Sequence, residues 1–440
     1  MSITNGSSPN GVAPTFVARS ADSITEYIQT VRLFSRNARL YLTALCITAV
    51  NFHVFLLLLN LYLKDFGFGE GEIGLVNSAR SVGMTMMAIP AALVLSRIRI
   101  KPVLLVAVLL LAVLSLGLSS SEKFSQIILF GIASGMVLSI FRVAAGPFFM
   151  RNSTEVERTH LFSFSFAMWI LAGMIGSIGS GKLVVLLTEM TGDSIISYRY
   201  TLYAGVAFCL LALIPFSLIK TAKPVADEQK IVLNRHLFRQ RWSFYYRVIA
   251  VNLLIGMGAG LSIPFLNLYF RNRFGLEPDT IGLFYFSVMA AMLIGTLSGP
   301  LLAKRLGLVR TVVVTQVVSI PFMLILAYTH YLPLAFVAYL FRGGLMNMGM
   351  PLFNNLAMEI SDEREQGLVN ALLMIAWTSS WMISTAVGGE LIERFGFTVS
   401  LNATVVLYLI STTVFYVNFA RVEKRDISNG QWYIPHGTRM

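Results

Sequence analysis

Charged side chains are scarce in this sequence. Aspartate, glutamate, lysine and arginine make up only 13% of the 440 residues, whereas hydrophobic residues make up 56%. A soluble domain carries about twice that share of charged residues. The composition therefore excludes a water-soluble fold and predicts a chain embedded in a lipid bilayer.

Cysteine is also scarce, and no nucleotide-binding loop can be recognised. Both cysteines, Cys46 and Cys209, lie inside apolar runs, so the sequence indicates no disulfide framework. The glycine-rich run from Gly173 to Gly181 lacks a preceding strand and the Lys-Ser/Thr ending of a phosphate-binding loop. Close packing between helices explains these glycines better. Any flux through the chain is then driven by a gradient or is passive.

The sequence shows no pairing of a nucleophile with a base, no metal-ligand cluster and no cofactor loop. This pattern argues against an enzyme, and neither a cofactor nor a bound metal is expected. The formal net charge is +12, but the basic residues lie between apolar runs and do not form one patch. Such a distribution is typical of membrane topology and not of nucleic-acid binding.

Twelve segments have the length and apolar character of a membrane-spanning helix, about 20 residues. The predicted fold is an all-α, polytopic membrane protein with twelve transmembrane helices in two pseudo-symmetric six-helix bundles. The longest polar connection separates the sixth helix from the seventh. The predicted division is a tail at 1–39, a first bundle at 40–219, a basic linker at 220–246, a second bundle at 247–419 and a tail at 420–440.

The two predicted bundles repeat one another. Asn60-Leu61-Tyr62 recurs 207 residues later, Ile73-Gly74-Leu75 recurs 208 residues later, and Trp169 recurs as Trp377. Matches at a nearly constant offset indicate that a unit of about 200 residues occurs twice in the chain. A single chain therefore contains both bundles, and a monomer is expected.

Lysine and arginine lie mainly on one side of the predicted spans. Of the 34, twenty-four lie in the tails, the linker and the loops on the side of the termini, and six lie in the loops on the other side. The positive-inside rule then places both termini in the cytosol. The plasma (inner) membrane is the default location for such a multi-pass protein.

The loop after the eighth predicted helix reads PLLAKRLGLVR. It resembles the signature of the major facilitator superfamily, which it matches at Leu302, Ala303, Arg305 and Gly307. The resemblance covers the whole chain after the first tail. It implies two bundles that rock about a site near the bilayer midplane, with a cavity lined by the first, fourth, seventh and tenth helices.

The same loop departs from the signature at its acidic position, which is Lys304 here and Ser96 in the first half. In the family this acid anchors a charge network on the inner face. The basic residues of the two loops, Arg97, Lys304 and Arg305, are therefore candidates for a gate on the inner side.

Two arginines inside predicted spans are the leading candidates for substrate binding, Arg142 in the fourth helix and Arg342 in the tenth. A charge at the bilayer centre costs at least about 2.5–3.5 kcal/mol, so each needs a compensating role. One interpretation is that the guanidinium groups bind an anionic group of the substrate. The other is a structural ion pair, or a cap on the carbonyls freed by Pro147 and Pro351.

Polar and aromatic residues accompany these arginines. Only His53 is a histidine in mid-span, and because an imidazole exchanges protons near neutral pH it is the candidate for proton coupling. A neutral histidine hydrogen-bonded between helices is the alternative. Trp169 and Trp377 are the aromatic residues singled out as candidates, because they occupy equivalent positions in the fifth and eleventh helices. The predicted substrate-binding set is Arg342, Arg142, Asn51, His53, Asn252, Asn347, Trp169 and Trp377.

A second arginine of the first half, Arg80 in the second helix, is predicted to belong with Glu390 to an outer gate or a structural pair, with substrate binding as the alternative. It is expected either to extend to the interface or to pair with Glu390 near the outer end of the eleventh helix. Apart from Glu390 and Glu359, which lie near helix ends, acidic residues are missing from the spans. This absence disfavours a cationic substrate, which generally needs a buried carboxylate.

These patterns predict a secondary active transporter that works by alternating access on an organic anion or an acidic amphiphile. Two alternatives stay open: an exporter of neutral hydrophobic compounds, in which the arginines are structural, and a non-transporting membrane scaffold or assembly factor that kept the fold. The expected partners are a small-molecule substrate, the lipid bilayer and a coupling proton or ion.

Overall fold

The computed structural model describes residues 34–152, 155–220, 241–361, 365–425 and 432–434. The predicted first tail at 1–39 and the linker at 220–246 lie largely outside the described residues. The predicted last tail at 420–440 lies partly outside them.

The predicted twelve-helix fold is confirmed. Ten described helices are long and apolar enough to cross a membrane, and the longest, with 54 residues, breaks at Gly396, where φ is 79°, and so contains two spans. Leu332–Ile360, which carries Arg342, completes the set. The helices are α1 (Arg36–Asp65), α2 (Glu70–Arg97), α3 (Ile100–Ser120), α4 (Phe124–Asn152), α5 (Glu155–Thr191), α6 (Ser194–Leu218), α7 (Trp242–Phe274), α8 (Pro278–Leu306), α9 (Leu308–Tyr328), α10 (Leu332–Ile360), α11 (366–395) and α12 (397–419).

Helix α7 is interrupted near its middle by a proline. It runs as an α-helix over Trp242–Ser262, tightens to a 3-10 turn over Ile263–Phe265 and continues as Leu266–Phe274. Pro264 has no N–H to give to the helical ladder, which explains the break at this point. The break frees a backbone carbonyl that becomes important for the contact between the two halves.

The twelve helices pack as two bundles. In the first half α1 packs on α5 and α6, and α2 packs on α4; in the second half α7 packs on α11 and α12, and α9 packs on α10. The halves meet where α2 crosses α11 and where α5 crosses α8. The fold therefore has a central seam between two six-helix units, as the repeat predicts.

Both crossings between the halves depend on glycine. A methyl group on Gly74 of α2 would lie 2.6 Å from the Thr385 carbonyl oxygen of α11 and 2.9 Å from the Cα of Gly389. A methyl group on Gly282 of α8 would lie 2.4 Å from a backbone carbonyl oxygen of α5 and 3.5 Å from the Cα of Gly181. Gly74 and Gly282 are equivalent in the 208-residue repeat, and so are Gly181 and Gly389. The two crossings are thus copies of one small-residue contact, which lets helix backbones approach closely.

One end of the seam is closed by contacts between the halves. Nη2 of Arg271 in α7 lies 2.6 Å from Oδ1 of Asp65 in α1. The N–H of Gly71, at the start of α2, donates to Oε2 of Glu393 in α11 at 2.6 Å. We call this the closed end, and the opposite end, where the chain enters α1 and leaves α12, the terminal end.

A short segment after α12 folds back onto the terminal end of the second half. Its strands β1 (Lys424–Arg425) and β2 (Trp432–Tyr433) pair antiparallel, a local departure from the predicted all-α fold. Both carboxylate oxygens of Glu423 accept backbone N–H bonds at the start of α9, from Leu308 at 2.7 Å and Val309 at 3.2 Å. Glu423 therefore caps α9 from more than a hundred residues away, where its charge also suits the helix dipole.

We expect Glu423→Ala to destabilise the second half, because two N–H groups at the start of α9 lose their partner. Loss of a helix cap costs about 1 kcal/mol. In a unit of 150–250 residues that loss lowers the melting temperature by about 2–4 °C. Thermal unfolding of the purified protein in detergent measures this shift. Glu423→Gln keeps one acceptor oxygen, so its melting temperature should lie between those of the natural protein and of Glu423→Ala. Equal melting temperatures for Glu423→Ala and the natural protein would contradict the capping role.

Candidate functional site

Two asparagines join the halves near the closed end, and they occupy equivalent positions of the repeat. Asn60 of α1 donates from Nδ2 to the carbonyl oxygen of Pro264 in α7 at 2.6 Å. Asn267 of α7 donates from Nδ2 to the carbonyl oxygen of Leu57 in α1 at 2.7 Å. Each asparagine thus bonds to the residue three positions before the other, and both side chains are buried. We call this reciprocal pair the asparagine clasp.

The break in α7 explains why the Pro264 carbonyl can accept a bond from α1. In a continuous helix that carbonyl would accept the N–H of Leu268, four residues later. Here the Leu268 N–H donates to the side-chain oxygen of Asn267 at 2.9 Å. Asn77 of α2 completes the network by donating to the side-chain oxygen of Asn60 at 3.0 Å. The clasp is a buried polar network, and its groups are costly to leave unsatisfied.

A cavity of about 210 Å³ lies beneath the clasp. Pro264 lines it, so the clasp and the cavity share a residue. The first half contributes Leu56, and the rest of the wall comes from α7 to α12. The described residues that line the cavity include no aspartate or glutamate. Its aromatic and methionine side chains are Tyr285, Met289, Met292, Tyr339, Met346, Met350, Phe353, Trp377, Trp381 and Tyr408.

Arg342 brings a positive charge into this apolar cavity. Its side chain is 5% exposed, and Nη2 donates to the hydroxyl of Tyr408 at 2.7 Å. Its Nε is buried without a hydrogen-bond partner, and so is the indole N–H of Trp381. In the described part of the chain no carboxylate pairs with Arg342. A buried, uncompensated charge with free donors fits a ligand that carries an acidic group.

Three side-chain amides also line the cavity, and each is held by its own helix bundle. Asn252 donates to a backbone carbonyl of α11 at 2.7 Å, and Asn347 donates to the Gly343 carbonyl at 2.9 Å. The amide oxygen of Gln316 accepts the hydroxyl of Thr412 at 2.8 Å. These bonds fix the orientation of the amides, so the polar groups of the cavity are pre-arranged for a ligand.

The structure therefore brings together four of the predicted substrate-binding residues: Arg342, Asn252, Asn347 and Trp377. The other four lie in the first half and do not line this cavity. Among the described residues, no group of three or more histidine, cysteine, aspartate or glutamate side chains could hold a metal ion.

A second cluster surrounds the indole of Trp169 in α5. The ring of Phe52 lies 4.9 Å from that of Trp169, and the ring of His53 lies 4.7 Å from it. The guanidinium carbon of Arg142 lies 5.9 Å from the Trp169 ring centroid. Arg142 and Arg342 thus lie in different halves, and Arg142 is not among the residues that line the cavity of Arg342.

His53 and Asn51 lie on faces of α1 that other helices cover. Nδ1 of His53 is 2.9 Å from the Ala49 carbonyl oxygen, the side chain is buried, and Gly173 of α5 packs on the ring. This geometry favours the neutral, hydrogen-bonded histidine over the proton-coupling one. Asn51 packs against Gly205 of α6 and belongs to neither cluster.

The predicted pair between Arg80 and Glu390 does not form. The guanidinium carbon of Arg80 lies 5.8 Å from the ring centroid of Phe52, and Glu390 pairs with Arg394 one turn along α11. Arg80 is ten residues into α2, about 15 Å from the closed end at 1.5 Å per residue. Glu390 lies near the closed end of α11 and half exposed. The difference in depth explains why the two side chains do not pair in this structure.

The predicted inner gate, Arg97, Lys304 and Arg305, lies exposed at the terminal end. None of the three has an ion-pair partner among the described residues. A carboxylate does lie beside that loop, that of Glu423, but its described hydrogen bonds are to backbone N–H groups of α9. A gating role for the three basic residues stays a prediction.

Sequence reasoning missed the clasp and two residues of the cavity wall, Tyr408 and Trp381. The clasp had a visible signal, since Asn60 and Asn267 are polar residues that recur at the same offset inside apolar runs. Tyr408 had no such signal, because a lone tyrosine in a span is equally typical of a lipid-facing or interfacial position.

Comparison with known proteins agrees with this architecture. A family model described as Major Facilitator Superfamily matches residues 40–385 and 248–432. No curated protein sequence matches the chain.

Solved structures with similar folds include several transporters. A bacterial homologue of the human lysosomal transporter Spinster, in an inward-facing, unoccupied conformation, has a TM-score of 0.71 at 12% identity, over 86% of this chain and 95% of that one. A bacterial homologue of the iron transporter ferroportin, inward-facing, has 0.69 at 16% identity, over 88% and 99%. The human organic anion transporter MFSD10 (TETRAN) has 0.60 at 15% identity, over 86% and 99%. At these identities the likeness establishes the fold.

Proposed function

The chain belongs to the major facilitator superfamily, and on that premise we propose that it is a secondary transporter that carries an organic anion or an acidic amphiphile by alternating access. Family membership points to a transporter of small molecules and not to an enzyme. The protein is an integral, multi-pass membrane protein.

The observation that carries the proposed substrate class is that Arg342 has no ion-pair partner, and its cavity no acidic residue, in the part of the chain that the structure describes. Keeping such a charge away from water is costly unless a counter-charge is supplied. A carboxylate or phosphate on the substrate supplies it and accepts bonds from the arginine, while the neighbouring Trp381 N–H is a further donor. The aromatic and methionine wall suits an apolar body, since thioethers adapt to irregular shapes.

The asymmetry of the two ends supports an inward-facing state. Basic residues are concentrated at the terminal end, which favours a cytosolic location for that end. The clasp and the ion pair of Arg271 with Asp65 then close the extracellular side. Two of the similar solved structures are described as inward-facing.

Export of neutral hydrophobic compounds is the second candidate function. The predominantly apolar wall of the cavity favours it, since the aromatic and methionine side chains accept an uncharged ligand equally well. In that case Arg342 is a structural residue held by the hydroxyl of Tyr408.

Ligand-induced thermal stabilisation distinguishes the two candidates. Purified protein is mixed with compounds that share one apolar body and differ in the head group: a carboxylate, the matching primary amide and the matching amine. A ligand that binds only the folded state stabilises it by about 2.7 kcal/mol at a hundredfold excess over its dissociation constant. We expect a rise in melting temperature with the carboxylate alone. Equal stabilisation by the amide would favour the neutral exporter and overturn the anion proposal.

A further inference from the structure

The first-half cluster contains a second arginine, and the two arginines flank a pair of aromatic rings. The guanidinium carbon of Arg80 lies 5.8 Å from the Phe52 ring, which lies 4.9 Å from the Trp169 ring, and that of Arg142 lies 5.9 Å from Trp169. The order is cation, ring, ring, cation. A guanidinium over an aromatic face is attracted by the ring but keeps its charge, so the rings hold both groups in place without neutralising them.

Neither charge is compensated within the described part of the chain. Arg80 and Arg142 have no ion-pair or hydrogen-bond partner there, and Nε of Arg80 is buried without one. Arg142 is exposed although it lies inside the membrane-spanning α4. Arginines that are only structural normally pair with a carboxylate or with backbone carbonyls. Two unpaired guanidinium groups on one pair of rings therefore point to an anion as the missing partner.

One residue of this row shares a helix face with the wall of the second-half cavity. Phe52 and Leu56 are four residues apart and so lie on the same face of α1, and Leu56 lines that cavity. Arg142 lies eighteen residues from the closed-end start of α4 and Arg80 ten residues from that of α2, about 27 Å and 15 Å along the helices. The two cations are thus staggered along the helix axes by about 12 Å. An anion that reaches Arg142 from the terminal end can then pass toward Arg80.

We propose that Arg80 and Arg142, with Phe52 and Trp169, form a second oxyanion site in the first half, across the central seam from the cavity of Arg342. Its ligand is a carboxylate or phosphate group. This inference rests on the proposed function, because it assumes an acidic substrate held by Arg342 in the cavity of the second half. The group belongs either to the far end of the same substrate, which is then a dianion, or to a free inorganic anion bound beside a monoacid.

Matched straight-chain mono- and dicarboxylic acids of several lengths, with and without inorganic phosphate, test the second site. Affinities are measured by thermal stabilisation of the purified full-length protein. If the substrate carries both groups, one diacid binds about tenfold more tightly than its monoacid, and Arg142→Gln abolishes that advantage without changing monoacid affinity. If the anion is free, phosphate strengthens monoacid binding about tenfold, again only with Arg142 present. Either result supports the site, and which of the two is found shows whether the anion belongs to the substrate or is free.

The site is overturned if diacids show no advantage, phosphate has no effect and Arg142→Gln leaves every affinity unchanged. If monoacids still bind in that case and their binding still depends on Arg342, the proposed function stands and only the second site is refuted. If monoacids do not bind either, both proposals are refuted. Arg99→Gln, at an exposed arginine of the terminal end, is the matched control for loss of one charge and should retain the diacid or phosphate advantage. Arg80→Gln should behave as Arg142→Gln; if it does not fold, Arg80→Lys, which keeps the charge but cannot bind in a bidentate manner, should reduce the advantage.

Discussion

Arg342→Gln is expected to weaken binding of an acidic ligand by at least about 30-fold and to abolish transport of that ligand at low concentration. Removing one partner of a buried, hydrogen-bonded charge pair costs about 2–5 kcal/mol, and each 1.4 kcal/mol is a factor of ten in the dissociation constant. Glutamine keeps a polar side chain of similar length but supplies no charge. The ligand's carboxylate would then be desolvated in an aromatic cavity without a counter-charge. Titration of thermal stabilisation, followed by uptake into proteoliposomes, measures both effects.

Three variants make this result specific. Arg342→Lys keeps the charge but lacks the planar fork of donors, so an intermediate loss is expected. Tyr408→Phe removes the hydroxyl that accepts from Nη2 and leaves the charge, so acid binding should be retained. Arg99→Gln, at an exposed arginine of the terminal end, should bind as the natural protein does. Unchanged acid affinity in Arg342→Gln would refute the proposed site.

Breaking the asparagine clasp is expected to open the closed end. Asn60→Leu has a similar volume but leaves the Pro264 carbonyl and the Asn77 amide without partners, which costs about 1–3 kcal/mol in the closed state. A change of that size shifts the ratio of closed to open populations by about 5- to 150-fold. Asn267→Leu should act alike. Because both side chains belong to one network, the free-energy shift toward the open state in the double variant should be larger than in either single variant. It should be smaller than the sum of the two single shifts.

A single cysteine introduced at Leu56, in a background without Cys46 and Cys209, reports this opening. A membrane-impermeant thiol reagent applied from the side of the closed end should modify it 5- to 150-fold faster when the clasp is broken. Asn272→Leu is the matched control, since Asn272 donates to Glu70 at the same end but lies on the surface. Equal labelling rates for the clasp variants and the control would show that the clasp does not hold the end shut.

The position of Pro264 links these two predictions. Its carbonyl is held by Asn60, and the residue also lines the cavity in which we place the substrate. A ligand that displaces Pro264 would therefore act on the clasp directly. Conversely, clasp variants should alter ligand affinity as well as accessibility, since coupling between two sites is reciprocal.

The fold was predictable because its strongest determinants are local or repeated. Apolar runs of about 20 residues locate the spans, and a constant offset near 208 residues relates the halves. The same offset identifies Gly74 with Gly282 and Asn60 with Asn267. These positions proved to be the helix crossings and the clasp, although the sequence alone did not indicate their roles.

The site was predictable only in part, because the direction in which a side chain points depends on the rotation of its helix. In a soluble helix an apolar stripe marks the core, but in a bilayer the lipid-facing side is equally apolar. Periodicity therefore could not show that Arg142 lies beside Trp169 while Arg342 faces a separate cavity. Nor could it show that Glu423, distant in sequence, caps α9. Such contacts arise only from tertiary packing.

The reciprocal form of the clasp bears on how a two-bundle protein could arise from one bundle. In a two-fold symmetric pair of identical units, residue i of one copy meets residue j of the other, and j meets i. A single asparagine in an ancestral half, placed three residues after an accessible carbonyl, would have supplied both hydrogen bonds at once. One substitution would have added two hydrogen bonds to a contact between two separate chains, and duplication and fusion of the gene would then have preserved them. Asn60 and Asn267 retain that arrangement, so each half already carries one side of a dimer interface.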